Sequence, residues 1–198
     1  MPLEDMHITI LEIVHSVTES KVKALLAKVG QETIASMTDY TYYHRARLIK
    51  PMLSYDAAAV ALSFLPAAGE GLPVTASSSS ERAKGDDSFT YHHLRRDLYN
   101  IAKKTGVHIA SRYVVPTTHI TLGRFLSQKD HDSPEKMEAF IKSIDKINEW
   151  LEEEYWPKDG DGRREDAEWI VGHEKGLVFR EGKVWYGAGS SVREGKGF

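Results

Sequence analysis

Two short segments of the chain share one pattern, a histidine, any residue, a threonine and an aliphatic residue. They are His7-Ile8-Thr9-Ile10 and His119-Ile120-Thr121-Leu122. The composition predicts only about 0.1 such matches by chance, so this repeat constrains the fold more than any other feature. Residues i and i+2 of a strand share one face, so each histidine lies beside its threonine and the aliphatic residues point into a core. Both segments are therefore predicted to be strands.

The repeated residue types also carry a chemistry. Two such strands side by side would bring two imidazoles and two hydroxyls into one cleft. Histidine titrates near neutral pH, so one imidazole can act as a base while the other acts as an acid. The hydroxyls can donate hydrogen bonds to non-bridging phosphate oxygens, where negative charge accumulates during reaction. This combination suits cleavage of a phosphodiester without a metal ion.

The remaining periodicity predicts a mixture of helices and strands. Helices are predicted at residues 18–29, 88–105 and 133–154. Strands are predicted at residues 7–15 and 57–65, as a pair within 111–125 broken at Pro116, and as two or three strands within 168–186. The Gly/Ser-rich tail after Gly187 is predicted to be a loop. Residues 67–87, rich in Gly and Ser, are predicted to be a flexible insertion within one domain spanning 1–198.

The amino-acid composition limits which classes of partner and which cell compartment are expected. The chain has 198 residues and a formal net charge of −3, which disfavours a duplex DNA partner because such proteins carry a strongly basic face. It contains no cysteine, which excludes disulfides, thiolate metal sites and cysteine nucleophiles. No apolar run approaches the ~20 residues needed to cross a bilayer. A cytoplasmic monomer with no membrane partner is expected.

The paired motifs resemble those of the two-histidine phosphoesterase superfamily, which includes cyclic phosphodiesterases and RNA ligase-like proteins. Longer stretches of the chain are similar to a fungal branch of that superfamily, namely residues 6–16, 45–54, 111–125 and 177–187. The resemblance covers most of the chain, although only the two short motifs are specific to the mechanism. It implies an α+β, bilobal fold of two antiparallel sheets flanked by helices, with a central cleft.

The same resemblance implies the roles of the motif residues. His7 and His119 would be the catalytic acid–base pair, and Thr9 and Thr121 would bind the phosphate, with no cofactor and no metal. The expected substrate is a small nucleotide or an RNA end: a 2′,3′-cyclic nucleotide, an RNA 2′,3′-cyclic phosphate or an ADP-ribose cyclic phosphate. Two alternatives stay open, an RNA ligase-like or 2′,5′-oligonucleotide phosphodiesterase activity and a non-catalytic nucleotide-binding module. Which histidine is the base also stays open.

Several further side chains are candidate substrate ligands. Tyr43, with Tyr42, could stack on a base and Arg45 could bind phosphate, although all three could equally lie in a solvated connector. Trp185 and Tyr186 are expected to be core residues, with base stacking as the alternative role. In a regular strand Arg124 would alternate onto the face opposite His119, so it is not expected to be a ligand.

Overall fold

The computed structural model describes residues 2–72, 87–110, 118–158, 165–184 and 188–198, and it has an α+β fold. The helices are α1 (Glu19–Val29), α2 (Gln31–Thr38), α3 (Tyr40–Tyr43), α4 (Tyr91–Lys104) and α5 (Pro134–Tyr155). The strands are β1 (Arg47–Tyr55), β2 (Ala59–Pro66), β3 (Thr118–Arg124), β4 (Trp169–Ile170), β5 (Val178–Lys183) and β6 (Ala188–Glu194). Short 3₁₀ turns lie at Leu3–Asp5, Lys129–His131 and Glu165–Ala167.

The larger sheet is antiparallel, with strand order β3-β2-β1-β4, and β5 and β6 form a second, two-stranded sheet. The larger sheet is curled. Register shifts between Ile49 and Met52 and between Val60 and Ala61 interrupt two of its ladders. Such bulges bend a strand and increase its twist, which accounts for the curl. At the outer edge of β3, Ile8 forms an isolated antiparallel bridge with Ile120.

The main hydrophobic core lies between this sheet and α4. Its buried members include Leu48, Phe64 and Ile120 from the strands and Tyr91 and Leu94 from the helix. Burying each such side chain contributes about 1.5–3 kcal/mol, so this contact supplies much of the driving force for folding. The two isoleucines of the bridge belong to this layer, and the side chains on either side of them therefore face the other way.

Helix α5 covers the edge of β1 that β4 leaves open. The Asn148 amide accepts a hydrogen bond from the Leu53 N–H at 2.7 Å and donates to the Leu53 carbonyl at 3.1 Å. The Trp156 indole N–H donates to the Pro51 carbonyl at 2.9 Å. These bonds satisfy backbone groups that would otherwise offer an edge for pairing with another chain.

The three helices predicted from periodicity are confirmed as α1, α4 and α5, and the strand at 57–65 is confirmed as β2. At the start of α1 the Thr18 hydroxyl accepts from the Lys21 N–H, and Gly30 ends the helix with a φ of 79°. Gly has no Cβ, so it adopts this angle at little cost. Capping chemistry therefore accounts for both ends of α1.

Residues 7–15 do not form the predicted strand. The segment is only partly buried and bends at Ile10. Before the bend Ile8 pairs with Ile120, and after it the Ile13 carbonyl accepts from the Ala110 N–H at 2.8 Å. These contacts join the segment to β3 before the bend and to Ala110 after it, and the segment itself is not a continuous strand.

The prediction of a loop after Gly187 is wrong, because β6 (Ala188–Glu194) pairs with β5 along its length. Gly189 fits this register since a Cβ there would lie 2.7 Å from the Glu181 carbonyl oxygen. Of the strands predicted within 168–186, β4 and β5 are present. Most of the predicted insertion, the first half of 111–125, and both Trp185 and Tyr186 lie outside the described residues.

Candidate functional site

The two repeated motifs meet at the outer edge of β3. Because Ile8 and Ile120 face each other in an antiparallel bridge, His7 lies opposite Thr121 and Thr9 lies opposite His119. Opposed residues of an antiparallel pair have Cα atoms about 4.5–5.5 Å apart and share one face. All four side chains therefore occupy the face opposite the hydrophobic core, with each imidazole across from the threonine of the other motif.

The hydrogen bond made by His7 determines which of its nitrogens is available. Its Nδ1 lies 2.8 Å from the Asp5 carbonyl oxygen, at the end of the 3₁₀ turn that precedes the motif. A carbonyl oxygen only accepts, so Nδ1 carries the hydrogen and donates it. Nε2 is then the nitrogen of His7 that can exchange a proton with a substrate.

The surroundings of His119 favour its neutral form. The side chain is exposed overall, yet the protein packed around the ring is the largest cause that lowers its pKa below the ordinary value. The positive charge of Arg95 is the next cause, and Arg124 and His7 lower the pKa further, while Asp56 opposes them. A lowered pKa increases the neutral fraction at pH 7, so His119 is suited to accept a proton.

Arg124 lies on the same face of the sheet as the four motif residues, which corrects the sequence-based expectation. Thr121 pairs with Ala61, whereas Gly123 pairs with Val60 and Arg124 with Ala59, so β3 has one more residue than β2 at this point. The extra residue reverses the alternation and returns Arg124 to the face that carries Thr121. An isolated glycine inside a strand is a known signal of a bulge, and Gly123 is that signal here.

The part of β2 beside the motifs carries small side chains. Ser63 lies opposite His119 and Ala61 lies opposite Thr121. The Ser63 hydroxyl is buried and 2.6 Å from the hydroxyl of Ser54 on β1.

The remaining predicted ligands are Tyr43 and Arg45. Tyr43 is the last residue of α3, and Arg45 lies between α3 and β1. Tyr43 is 77% exposed and its ring contacts that of Tyr42 edge-on, with centroids 5.0 Å apart. The Arg45 guanidinium carbon lies 4.0 Å from the centroid of the Phe198 ring. Their role as substrate ligands stays a prediction.

Within the ranges given above, no three His, Asp or Glu side chains are grouped so that they could hold a metal ion. No helix among those residues is long and apolar enough to span a bilayer. The chain matches no family model, no curated protein and no solved structure.

Proposed function

We propose that the protein is a phosphodiesterase that hydrolyses small cyclic phosphates by acid–base catalysis with two histidines. The observation that carries the proposal is the antiparallel bridge between Ile8 and Ile120, since it brings two imidazoles and two hydroxyls onto one face. The resemblance of the two motifs to those of two-histidine phosphoesterases supports the same chemistry. It also favours a bilobal fold with the cleft between the lobes.

In the proposed reaction His119 removes a proton from water, and the resulting oxygen forms a bond to phosphorus. The bond between phosphorus and one ribose oxygen breaks, and His7 gives a proton to that oxygen. The product is a phosphate monoester, and the two histidines end with their protonation states exchanged, to be restored through solvent. The lowered pKa of His119 supports its assignment as the base. The Nδ1–H bond of His7 supports Nε2 as its donating atom.

Three groups would bind the phosphate in this scheme. The hydroxyls of Thr9 and Thr121 flank the space between the histidines and can donate to the non-bridging oxygens. Arg124 adds a positive charge at the end of the same face. Charge is thus concentrated at the site while the chain as a whole carries −3, which favours a small anion over a long nucleic acid strand.

The test is incubation with the four 2′,3′-cyclic nucleotides, with and without EDTA, followed by separation of the 2′- and 3′-monophosphates. We expect a single monophosphate isomer, formed at the same rate in EDTA because imidazoles and hydroxyls supply the acid, base and donors. Absence of product from all four substrates, together with no hydrolysis of ADP-ribose cyclic phosphate or an RNA 2′,3′-cyclic end, would contradict the proposal. So would a rate that EDTA abolishes and a divalent ion restores.

A further inference from the structure

We propose that Tyr91 and Arg95, one turn apart on α4, are positioning residues for the two-histidine site. Tyr91 would fix the first motif through the backbone of Thr9, and Arg95 would fix Tyr91 while acting electrostatically on His119. This inference rests on the proposed function for its catalytic consequence. The contacts themselves do not depend on it.

Tyr91 connects α4 directly to the first motif. Its side chain is fully buried, and its hydroxyl donates to the Thr9 carbonyl oxygen at 3.3 Å. Among the described residues, the motif pairs with β3 through one isolated bridge, at Ile8. The bond from Tyr91 therefore supplies a second attachment, at the residue whose hydroxyl would bind phosphate.

Arg95 packs on Tyr91 from the next turn of the helix. Its guanidinium carbon lies 4.7 Å from the centroid of the Tyr91 ring, and the residue is only 8% exposed. Residues i and i+4 are neighbours on a helix surface, and a guanidinium over an aromatic face is attractive. The cation therefore packs against the residue whose hydroxyl bonds to Thr9.

The charge of Arg95 also acts on the second motif. Burial of the His119 ring lowers its pKa most, and Arg95 lowers it further, in the same direction as Arg124 on β3 and His7 in the N-terminal segment. Asp56, in the turn between β1 and β2, acts in the opposite direction. Tyr91 and Arg95 on α4 thus act on both motifs. Tyr91 donates a hydrogen bond to the Thr9 carbonyl, and the positive charge of Arg95 lowers the pKa of His119.

The electrostatic half is tested by NMR titration of the His119 ring in Arg95→Met, with Arg95→Lys as the control that keeps the charge. We expect the midpoint of the His119 titration to move to higher pH in the methionine variant, because a positive charge that disfavours the imidazolium is removed. The lysine variant should titrate near the wild-type midpoint. An unchanged midpoint in Arg95→Met would overturn the proposal, and Arg95→Gln serves if the methionine variant does not fold. The titration needs no turnover, so it is independent of the proposed function.

The positional half is tested with Tyr91→Phe, which removes one hydroxyl and keeps the ring on which Arg95 packs. We expect kcat for a cyclic nucleotide to fall about tenfold in Tyr91→Phe. Because Tyr91 would act by positioning the first motif, which includes Thr9, the double variant Tyr91→Phe with Thr9→Ala should lose less than the product of the two single losses. Fully additive losses would show a general structural effect and overturn the positional role. If the wild type turns over the substrate and the losses in the variants are additive, the proposed function stands and this inference is rejected.

Discussion

At the scale of single residues, the candidate site is built from side chains of both motifs. Each histidine lies opposite the threonine of the other motif, so in the proposed mechanism each imidazole is paired with a hydroxyl from the other segment. The arrangement follows from strand geometry, since one antiparallel bridge between equivalent positions generates both pairs. His7 and His119 nevertheless differ. The His7 ring donates to a backbone carbonyl, whereas burial of the His119 ring and the nearby charge of Arg95 lower the pKa of His119.

The hydroxyls give the first prediction. Thr9→Val and Thr121→Val each remove one donor while keeping the shape of the side chain. A hydrogen bond to a charged group contributes about 1.5–3 kcal/mol, so kcat/KM should fall roughly 10- to 100-fold in each variant. Steady-state kinetics on a 2′,3′-cyclic nucleotide measure this loss. The matched controls Thr9→Ser and Thr121→Ser keep the hydroxyl and should retain most activity, and wild-type rates in both valine variants would exclude the phosphate role.

At the scale of elements, the bulge in β3 decides what the site contains. One extra residue between Thr121 and Gly123 returns Arg124 to the face of the two motifs. The bulge therefore adds a cation to a face otherwise lined by imidazoles, hydroxyls and the small side chains of β2. Without it, strict alternation would direct that charge toward the core layer.

This placement of Arg124 leads to the second prediction. Arg124→Met should raise KM for a cyclic nucleotide about tenfold, because a positive charge on the phosphate side of the site is lost. Arg96→Met is the matched control, since Arg96 is an exposed arginine on α4 that pairs with Asp97. Equal KM values for wild type and Arg124→Met would indicate that Arg124 does not contact the substrate.

Sequence periodicity and capping predicted three of the helices and the strand β2, because each of these elements is marked by its own residues. The repeated His-x-Thr pattern identified the four motif residues as candidates without any knowledge of the fold, and their role stays a prediction. The irregular N-terminal segment and β6 were not predicted, because each depends on a partner strand distant in sequence. Two further features could not be predicted from the sequence. The face on which Arg124 lies depends on a bulge in the β2–β3 pairing, and the influence of Arg95 on His119 depends on how α4 packs.

At the scale of the whole molecule, a buried ionic cluster joins segments that are far apart in the chain. Arg47 on β1 pairs with Asp87 at 2.6 Å and with Glu168 at 2.9 Å, and all three side chains are at most 7% exposed. Arg47 also donates to the Glu70 carbonyl, and Asp87 accepts from the Gly69 N–H. The cluster thus ties residues 69–70, residue 87 and the approach to β4 onto one strand.

The cluster gives the third prediction. Arg47→Met leaves two carboxylates buried without their cation, so the free energy of unfolding should fall by about 3–5 kcal/mol. Chemical denaturation followed by circular dichroism measures this change. Lys23→Met, which removes an exposed ion pair with Glu19, is the control and should leave the stability almost unchanged. Similar stabilities for the two variants would show that the cluster does not hold these segments together.

The central claim is that His7 and His119 act together on one phosphate, and the most direct measurement is turnover of a 2′,3′-cyclic nucleotide by His7→Ala and His119→Ala. His92→Ala is the matched control, because His92 is an exposed histidine on α4. We predict that each motif variant loses at least about 10²-fold in kcat while keeping the wild-type circular dichroism spectrum, and that the control keeps full activity. Full activity in either His7→Ala or His119→Ala would contradict the account.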